Sequence, residues 1–243
     1  MDLNGAINRY SANFTTALAF ALLLVFVFPF FALSSSFVSS TTIFIDYGFI
    51  NQPLLQSLAL LILALVFLFC YSILVSLMVF SVRSDLSNVK VNSYLNEKIY
   101  RVAFKYFIFL AVFTVIASIV SAFLISVSVP IEIINLILLV VSASFMFLPQ
   151  TLVVDEESLR SSVLSNWEFI AKNFGAFVSV FVFGVISVFV LNLLEFGIDQ
   201  FVLAGNFVSL LLALVFVLPF IEVIKTQIYM HRFGIVKSYH PSG

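Results

Sequence analysis

LLQSLALLILALVFLFCYSILVSLMVFSVR, residues 54–83, carries no charge before its final arginine. A helix rises about 1.5 Å per residue, so crossing a hydrocarbon core takes about 20 mainly apolar residues. This stretch exceeds that length and is apolar on every helical face, whereas a surface helix of a soluble protein keeps a polar stripe. It therefore predicts a membrane-spanning helix. The same criterion, applied outward from it, yields six spans at 16–35, 54–81, 102–126, 131–152, 174–194 and 207–230. Strands of a membrane barrel alternate polar and apolar residues over about ten positions, and these runs do not. The expected fold is all-α, a polytopic integral membrane bundle of six transmembrane helices, with one domain covering residues 1–243.

Of the 243 residues, 63% are hydrophobic and 9% are charged, against about 25% charged in ordinary soluble domains. With the spans laid end to end, all eleven Lys and Arg fall on one side of the membrane. Arg9 precedes the first span, Arg83, Lys90, Lys98, Arg101 and Lys105 lie between the second and third, and Arg160 and Lys172 between the fourth and fifth. Lys225, Arg232 and Lys237 close the chain. The connections on the other side carry only acids, Asp46, Glu132, Glu195 and Asp199. Short basic loops stay in the cytoplasm, so a cell-membrane protein with both termini cytoplasmic is expected. The net charge of −1 gives nucleic-acid binding no support. Membrane lipids, and a membrane-protein partner or a second copy of the chain, are the expected partners.

Arg9, a long apolar stretch and PFFALS at 29–34 resemble a signal peptide with its cleavage site. Signal h-regions run about 7 to 15 residues, and the run from Thr16 to Leu33 is longer, so a retained first span is expected. Cys70 is the only cysteine, which excludes a disulfide framework or thiolate cluster within one chain. LVFVFPF at 24–30 recurs as LVFVLPF at 214–220, in spans that cross in opposite directions. An inverted repeat of this kind suits a transporter, although coincidence in such Phe-, Val- and Leu-rich sequence explains a match this short more simply.

Two connections on the basic side have content, at roughly 82–101 and 153–173, and neither reaches the ~40 residues below which domains rarely fold alone. The second contains DEESLRSSVLSNWEFIAKNFG, residues 155–175, which reads as a cytoplasmic amphipathic helix lying in the membrane interface. Asp155 is its expected N-cap. Asp155, Glu156 and Glu157 suit the positive end of the helix dipole and Lys172 the negative end. Leu159, Val163, Trp167, Ile170 and Phe174 recur at helical spacing and form one apolar face. The helix is either a connector beneath the bundle or a partner contact made through Leu159, Val163, Trp167 and Ile170. In the first connection Lys98, Arg101 and Lys105 share a helical face, interleaved with Tyr94, Tyr100 and Tyr106, and are expected to touch lipid headgroups.

Ionisable residues inside spans are costly and mark function. Glu222 and Lys225, three residues apart in the last third of the sixth span, are the nearest instance. They are placed to pair with each other and reach the inner interface, and a coupling or proton site is the competing reading. Tyr71, Ser72 and Ser76 in the second span, Thr114, Ser118 and Ser121 in the third, and Ser142 and Ser144 in the fourth add mild polarity. Such residues serve packing between helices or line a narrow path. Glu222, Lys225, Ser72 and Ser76 are the transport candidates. His231 and His240 have no cysteine or acidic cluster to complete a zinc site, and no nucleophile–base pair or phosphate-binding glycine loop accompanies them. No catalytic residue, cofactor or metal is expected. Asn13-Phe14-Thr15 matches a glycosylation sequon but faces the cytoplasm on this topology.

The stretch FLPQTLVVDEESLRSSVLSNWEFIAKNFGAF, residues 147–177, resembles a pattern of poorly characterised six-span membrane families of bacteria and archaea. In these a span ending in proline leads to an acidic amphipathic helix and then a glycine-containing span. They include the membrane-anchoring domain found beside some glycerophosphodiester phosphodiesterases, and LPFIEVIKTQIYMHRFG, residues 218–234, is similar to that domain's closing span. The resemblance implies a six-helix module of obscure role, and no enzymatic activity carries over with it, since the phosphodiesterase domain has no counterpart here. A clear topology without catalytic chemistry leads to the expectation of a non-enzymatic scaffold, anchor or accessory subunit of a membrane complex. The alternative is a small-solute or lipid transporter or channel, because prolines in spans one, four and six break helices of the kind that line transport sites.

Overall fold

Among the described residues the long apolar runs form helix, and their sharpest breaks fall at Asn13 and just before Pro149. The computed structural model describes residues 3–27, 37–39, 44–46, 54–87, 94–201 and 205–231. Helix α1 (Leu3–Ala12) meets α2 (Phe14–Ala19) and its continuation to Val27 at an angle of 71°, with a 3-10 turn at Phe20–Leu23. A short antiparallel ribbon follows, β1 (Phe37–Ser39) on β2 (Phe44–Asp46), with Phe37 opposite Asp46. The remaining elements are α3 (Leu54–Ser87), α4 (Tyr94–Ser126), α5 (Ile131–Ala143), α6 (Leu148–Val154), α7 (Leu159–Lys172), α8 (Phe174–Asp199) and α9 (Gly205–Leu212). A π turn at Ala213–Val217 then leads into α10 (Leu218–His231).

Among the described residues five segments are long and apolar enough to cross a membrane: Leu58–Leu86, Lys98–Ser126, Ile131–Val154, Phe174–Asp199 and Phe207–His231. The bent α1–α2 pair makes a sixth if counted as one span. This is the all-α bundle of a multi-pass membrane protein. Its first span is described only to Val27; PFFALS, the last three residues of LVFVFPF, Lys90, Arg232, Lys237 and His240 lie outside the described residues. The connection expected at 82–101 is a good deal shorter, because α3 continues to Ser87 and α4 starts at Tyr94.

Helix α3 packs against α2, α4, α6 and α10. Its buried stripe, Tyr71, Val75, Met78, Val79 and Val82, meets Ile99, Val102, Tyr106 and Leu110 of α4 and Val223, Ile224 and Tyr229 of α10. These residues recur at three and four, the spacing that keeps side chains on one helical face. By contrast only 11% of the α8 span is buried, against 44% of the last span, and Phe189 and Phe196 point outward. An apolar surface of that extent is a liability in water and the natural exterior in lipid.

The broken spans satisfy their backbone groups from neighbouring elements. Pro149 lies in the first turn of α6 and disfavours helix in the residue before it, and residues 144–147 form turns. Asn166 of α7 closes the gap: Phe147 N–H donates to its Oδ1 at 3.1 Å, and its Nδ2 donates to the Ser144 carbonyl at 2.7 Å. In the last span Pro219 has no N–H for the carbonyl four residues back, that of Val215, and the Tyr10 hydroxyl donates to it at 2.9 Å. Backbone polar groups at membrane depth need such partners. At the α1–α2 bend Asn13 donates to Asp85 Oδ2 at 2.6 Å and accepts from the Ser81 hydroxyl, so the sequon asparagine is buried against α3.

Candidate functional site

LPFIEVIKTQIYMH folds as α10 and places Glu222 and Lys225 on one face, since positions three apart are neighbours on a helix. Lys225 Nζ donates to Glu222 Oε1 at 2.5 Å, and the two side chains are 6% and 4% exposed. The expected pairing is present, with both side chains enclosed by protein. The pair lies inside the bundle because α3 and α6 pack on α10.

Its surroundings are polar and come from several spans. Gln150 of α6 donates through Nε2 to Glu222 Oε2 at 2.8 Å and, at 3.4 Å, to Thr226 Oγ1. Thr226 in turn donates its hydroxyl proton to the Glu222 carbonyl at 2.7 Å. Tyr71 of α3 and Tyr106 of α4 are fully buried within electrostatic range of the Glu222 carboxylate. Further along the α6–α10 seam, the Tyr229 hydroxyl donates to Asp155 Oδ2 at 2.6 Å. Removing two charges from water costs several kcal/mol per ion, and only good geometry with supporting hydrogen bonds offsets it. Gln150 supplies that support.

A second polar cluster closes the end of the bundle where α3, α4 and α6 converge. Glu156 adopts a left-handed backbone with φ 55°, which turns the chain out of α6. Its carboxylate accepts from Arg83 at 3.0 Å and Lys98 at 2.7 Å. Arg83 also donates to the Val153 carbonyl at 2.6 Å, and Lys105 to the Glu157 carbonyl at 2.9 Å. Burial pushes the Glu156 carboxyl up, but the hydrogen bonds and charges of Lys98 and Arg83 outweigh it and hold its pKa below the ordinary value.

Of the expected headgroup contacts, then, Lys98 and Lys105 engage the 156–157 turn, while Arg101 and Tyr100 are exposed. Tyr106 is buried rather than interfacial, because it belongs to the stripe Ile99, Val102, Tyr106, Leu110. The side chain of Tyr94 lies outside the described residues.

Asp155 does not cap α7. That role falls to Ser158, whose Oγ accepts from the Ser161 N–H at 3.3 Å, since Asp155 ends α6 and is held by Tyr229. The buried stripe of α7 is Ser162, Asn166 and Phe169, flanked by the partly buried Leu159, Val163 and Ile170 that pack on the core. Trp167 is 47% exposed and leans on Phe145, ring centroids 5.6 Å apart. Phe174 belongs to α8 and is exposed. The expected apolar face is thus directed mainly into the bundle.

Ser72 and Ser76 are buried on α3, and the Ser72 hydroxyl donates to the Phe69 carbonyl at 2.8 Å, serving its own helix. Ser142 and Ser144 likewise donate to Leu139 and Val141, a common use of serine in apolar helices. The buried hydroxyls of Thr114 and Ser121 find no partner among the described residues. Nor, among those residues, do three His, Cys, Asp or Glu converge as a metal site would require.

Gln150, Thr226 and Asn166 organise the interior and were not singled out from the sequence. The available signal was a glutamine beside proline, at the end of an apolar span and without a charge to balance. No family model, curated protein or solved structure matches the chain, so the family resemblance rests on the residues quoted for it.

Proposed function

We propose that this is a non-enzymatic multi-pass protein of the cell membrane, with both termini cytoplasmic, that passes a small solute through the polar seam around Glu222 and Lys225. The observation carrying this reading is a buried ion pair held by Gln150, a residue just past the break in one span, and located soon after the π turn of another. Charges inside a membrane are expensive and are retained where they act, and interrupted spans are a recurrent way of building a polar site at membrane depth. Arg101 and Tyr100, exposed at the Glu156 end, suit contact with headgroups.

A second reading, scaffold or accessory subunit, draws support from α8, most of whose apolar side chains are exposed. Its expected contact helix α7 offers Trp167 as the side chain still half exposed.

Purified protein in liposomes, tested for entry of protons, sodium, ammonium and labelled amino acids beside Glu222→Gln, separates the two. Flux above protein-free liposomes that the substitution abolishes is the expected result. Absence of flux, together with a stoichiometric partner from native membranes whose recovery falls in Trp167→Ala, transfers the conclusion to the scaffold reading.

A further inference from the structure

Gln150 is wholly buried, and its neighbours dictate which way its amide faces. A carboxylate only accepts hydrogen bonds, so the NH2 group must face Glu222 Oε2 at 2.8 Å and Thr226 Oγ1 at 3.4 Å. Reversing the amide would set its oxygen against the carboxylate. Both amide protons are thereby engaged, and Oε1 is left buried with no hydrogen-bond donor among the described residues. The Thr226 hydroxyl donates to the Glu222 carbonyl and Lys225 Nζ to Glu222 Oε1, and neither donates to Gln150 Oε1. A buried carbonyl oxygen without a donor is unfavourable, and this one belongs to the residue holding the carboxylate.

We infer that Gln150 Oε1 and the Glu222 carboxylate form a binding site for a small hydrogen-bond-donating monocation, of the class of ammonium and primary alkylammonium ions. The inference names the ligand class of the site proposed above and rests on that reading for passage, though not for binding. An N–H cation supplies the donor that Gln150 Oε1 lacks and can take over from Lys225 the charge pairing of Glu222, whose two oxygens can accept more than the two bonds given by Lys225 and Gln150 among the described residues. Among the described residues Lys225 and Gln150 bond the Glu222 carboxylate, Thr226 bonds its backbone carbonyl, Tyr71 of α3 and Tyr106 of α4 lie within electrostatic range, and Lys225 is the sole cation of this set. A second buried positive charge is tolerated only if Lys225 yields its place, so the ligand competes with the Lys225 ammonium.

The test uses the full-length protein in detergent, with thermal unfolding followed in ammonium, methylammonium and tetramethylammonium chlorides at equal ionic strength. The wild type is expected to gain several degrees of midpoint in the first two salts over the third, which offers the same charge and no N–H. Gln150→Met is expected to lose that difference, and Lys225→Met to reach it at ammonium concentrations at least tenfold lower. Should either variant fail to fold, the salt series on the wild type decides alone. Equal midpoints in all three salts, or an ammonium effect that survives in Gln150→Met, overturn the inference. Specific binding without flux removes the transport reading and leaves the site, whereas flux without an ammonium response removes this inference alone.

Discussion

Replacing Asn166 tests how the interrupted fourth span is held. Its side chain accepts from the Phe147 N–H at 3.1 Å and donates to the Ser144 carbonyl at 2.7 Å, and both Asn166 and Phe147 are fully buried. Asn166→Leu keeps the number and branching of the side-chain heavy atoms, with somewhat more bulk, and removes both bonds. A buried polar group stripped of its partner costs about 1–3 kcal/mol, so two such groups set an upper range of roughly 2–6 kcal/mol. Ser144 is only partly buried, so its carbonyl bears less than the full penalty and the expected loss is about 2–4 kcal/mol. Equilibrium unfolding by dodecyl sulfate in mixed micelles measures it. Leu164→Ala, at an exposed neighbour on the same helix, serves as the control and is expected within about 0.5 kcal/mol of wild type. Asn166→Asp sharpens the test. Its carboxylate still accepts from Phe147 but turns an acceptor toward the Ser144 carbonyl, and protonation restores a donor. The deficit of this variant therefore shrinks as the pH falls. An Asn166→Leu variant as stable as the control, or an Asn166→Asp deficit that grows on acidification, refutes the reasoning.

Three further outcomes are expected. Lys225→Met strands the buried Glu222 charge at a cost of about 3–5 kcal/mol, while Glu222→Gln/Lys225→Met recovers most of it; a double variant less stable than either single one in the same unfolding assay removes the pair from the account. Gly205→Ala places a Cβ at 2.4 Å from the Glu195 carbonyl oxygen and 2.7 Å from Asp199 Oδ1, backbone and capping atoms that yield little, so a loss of about 1–3 kcal/mol is expected, and an unchanged thermal midpoint contradicts the close approach of α8 and α9. Glu156, with its pKa held below the ordinary 4.5, adds stability that is complete above that value and fades as the pH drops through the lowered one. Glu156→Gln therefore narrows its gap to wild type on acidification below about pH 4.5, and it does so at higher pH in concentrated salt, which screens exposed pairs. Parallel pH profiles from pH 6 to 3 count against the pairing with Arg83 and Lys98.

The reach of the sequence reading differs from element to element. Five expected spans recur within a few residues because a bilayer makes one demand of each local segment, enough apolar length at a fixed rise per residue. Glu222 and Lys225 were recognised as a pair for a similar reason, their spacing of three being a local property of helix. Their enclosure inside the bundle depends on α3 and α6, which the spacing does not describe. Lys98 and Lys105 were read toward lipid on the pattern of their own helix, and the 156–157 turn that engages them lies more than fifty residues along the chain. In α7 the apolar periodicity pointed to Trp167, whereas the stripe facing inward includes Ser162 and Asn166, which hydropathy discounts and a broken span requires.

From its own residues the chain specifies an all-α membrane protein, the approximate ends of its spans and the segregation of its basic residues, because hydropathy, helical rise and loop charge act locally. Which polar groups enter the interior was settled only when distant segments met. The bond from Gln150 to Glu222 joins residues 72 apart in the chain, and the Tyr10 hydroxyl reaches a carbonyl 205 residues away. Tertiary packing decided both contacts, since a buried donor or acceptor takes whichever partner packing brings within reach, and that partner leaves no mark on the sequence around it.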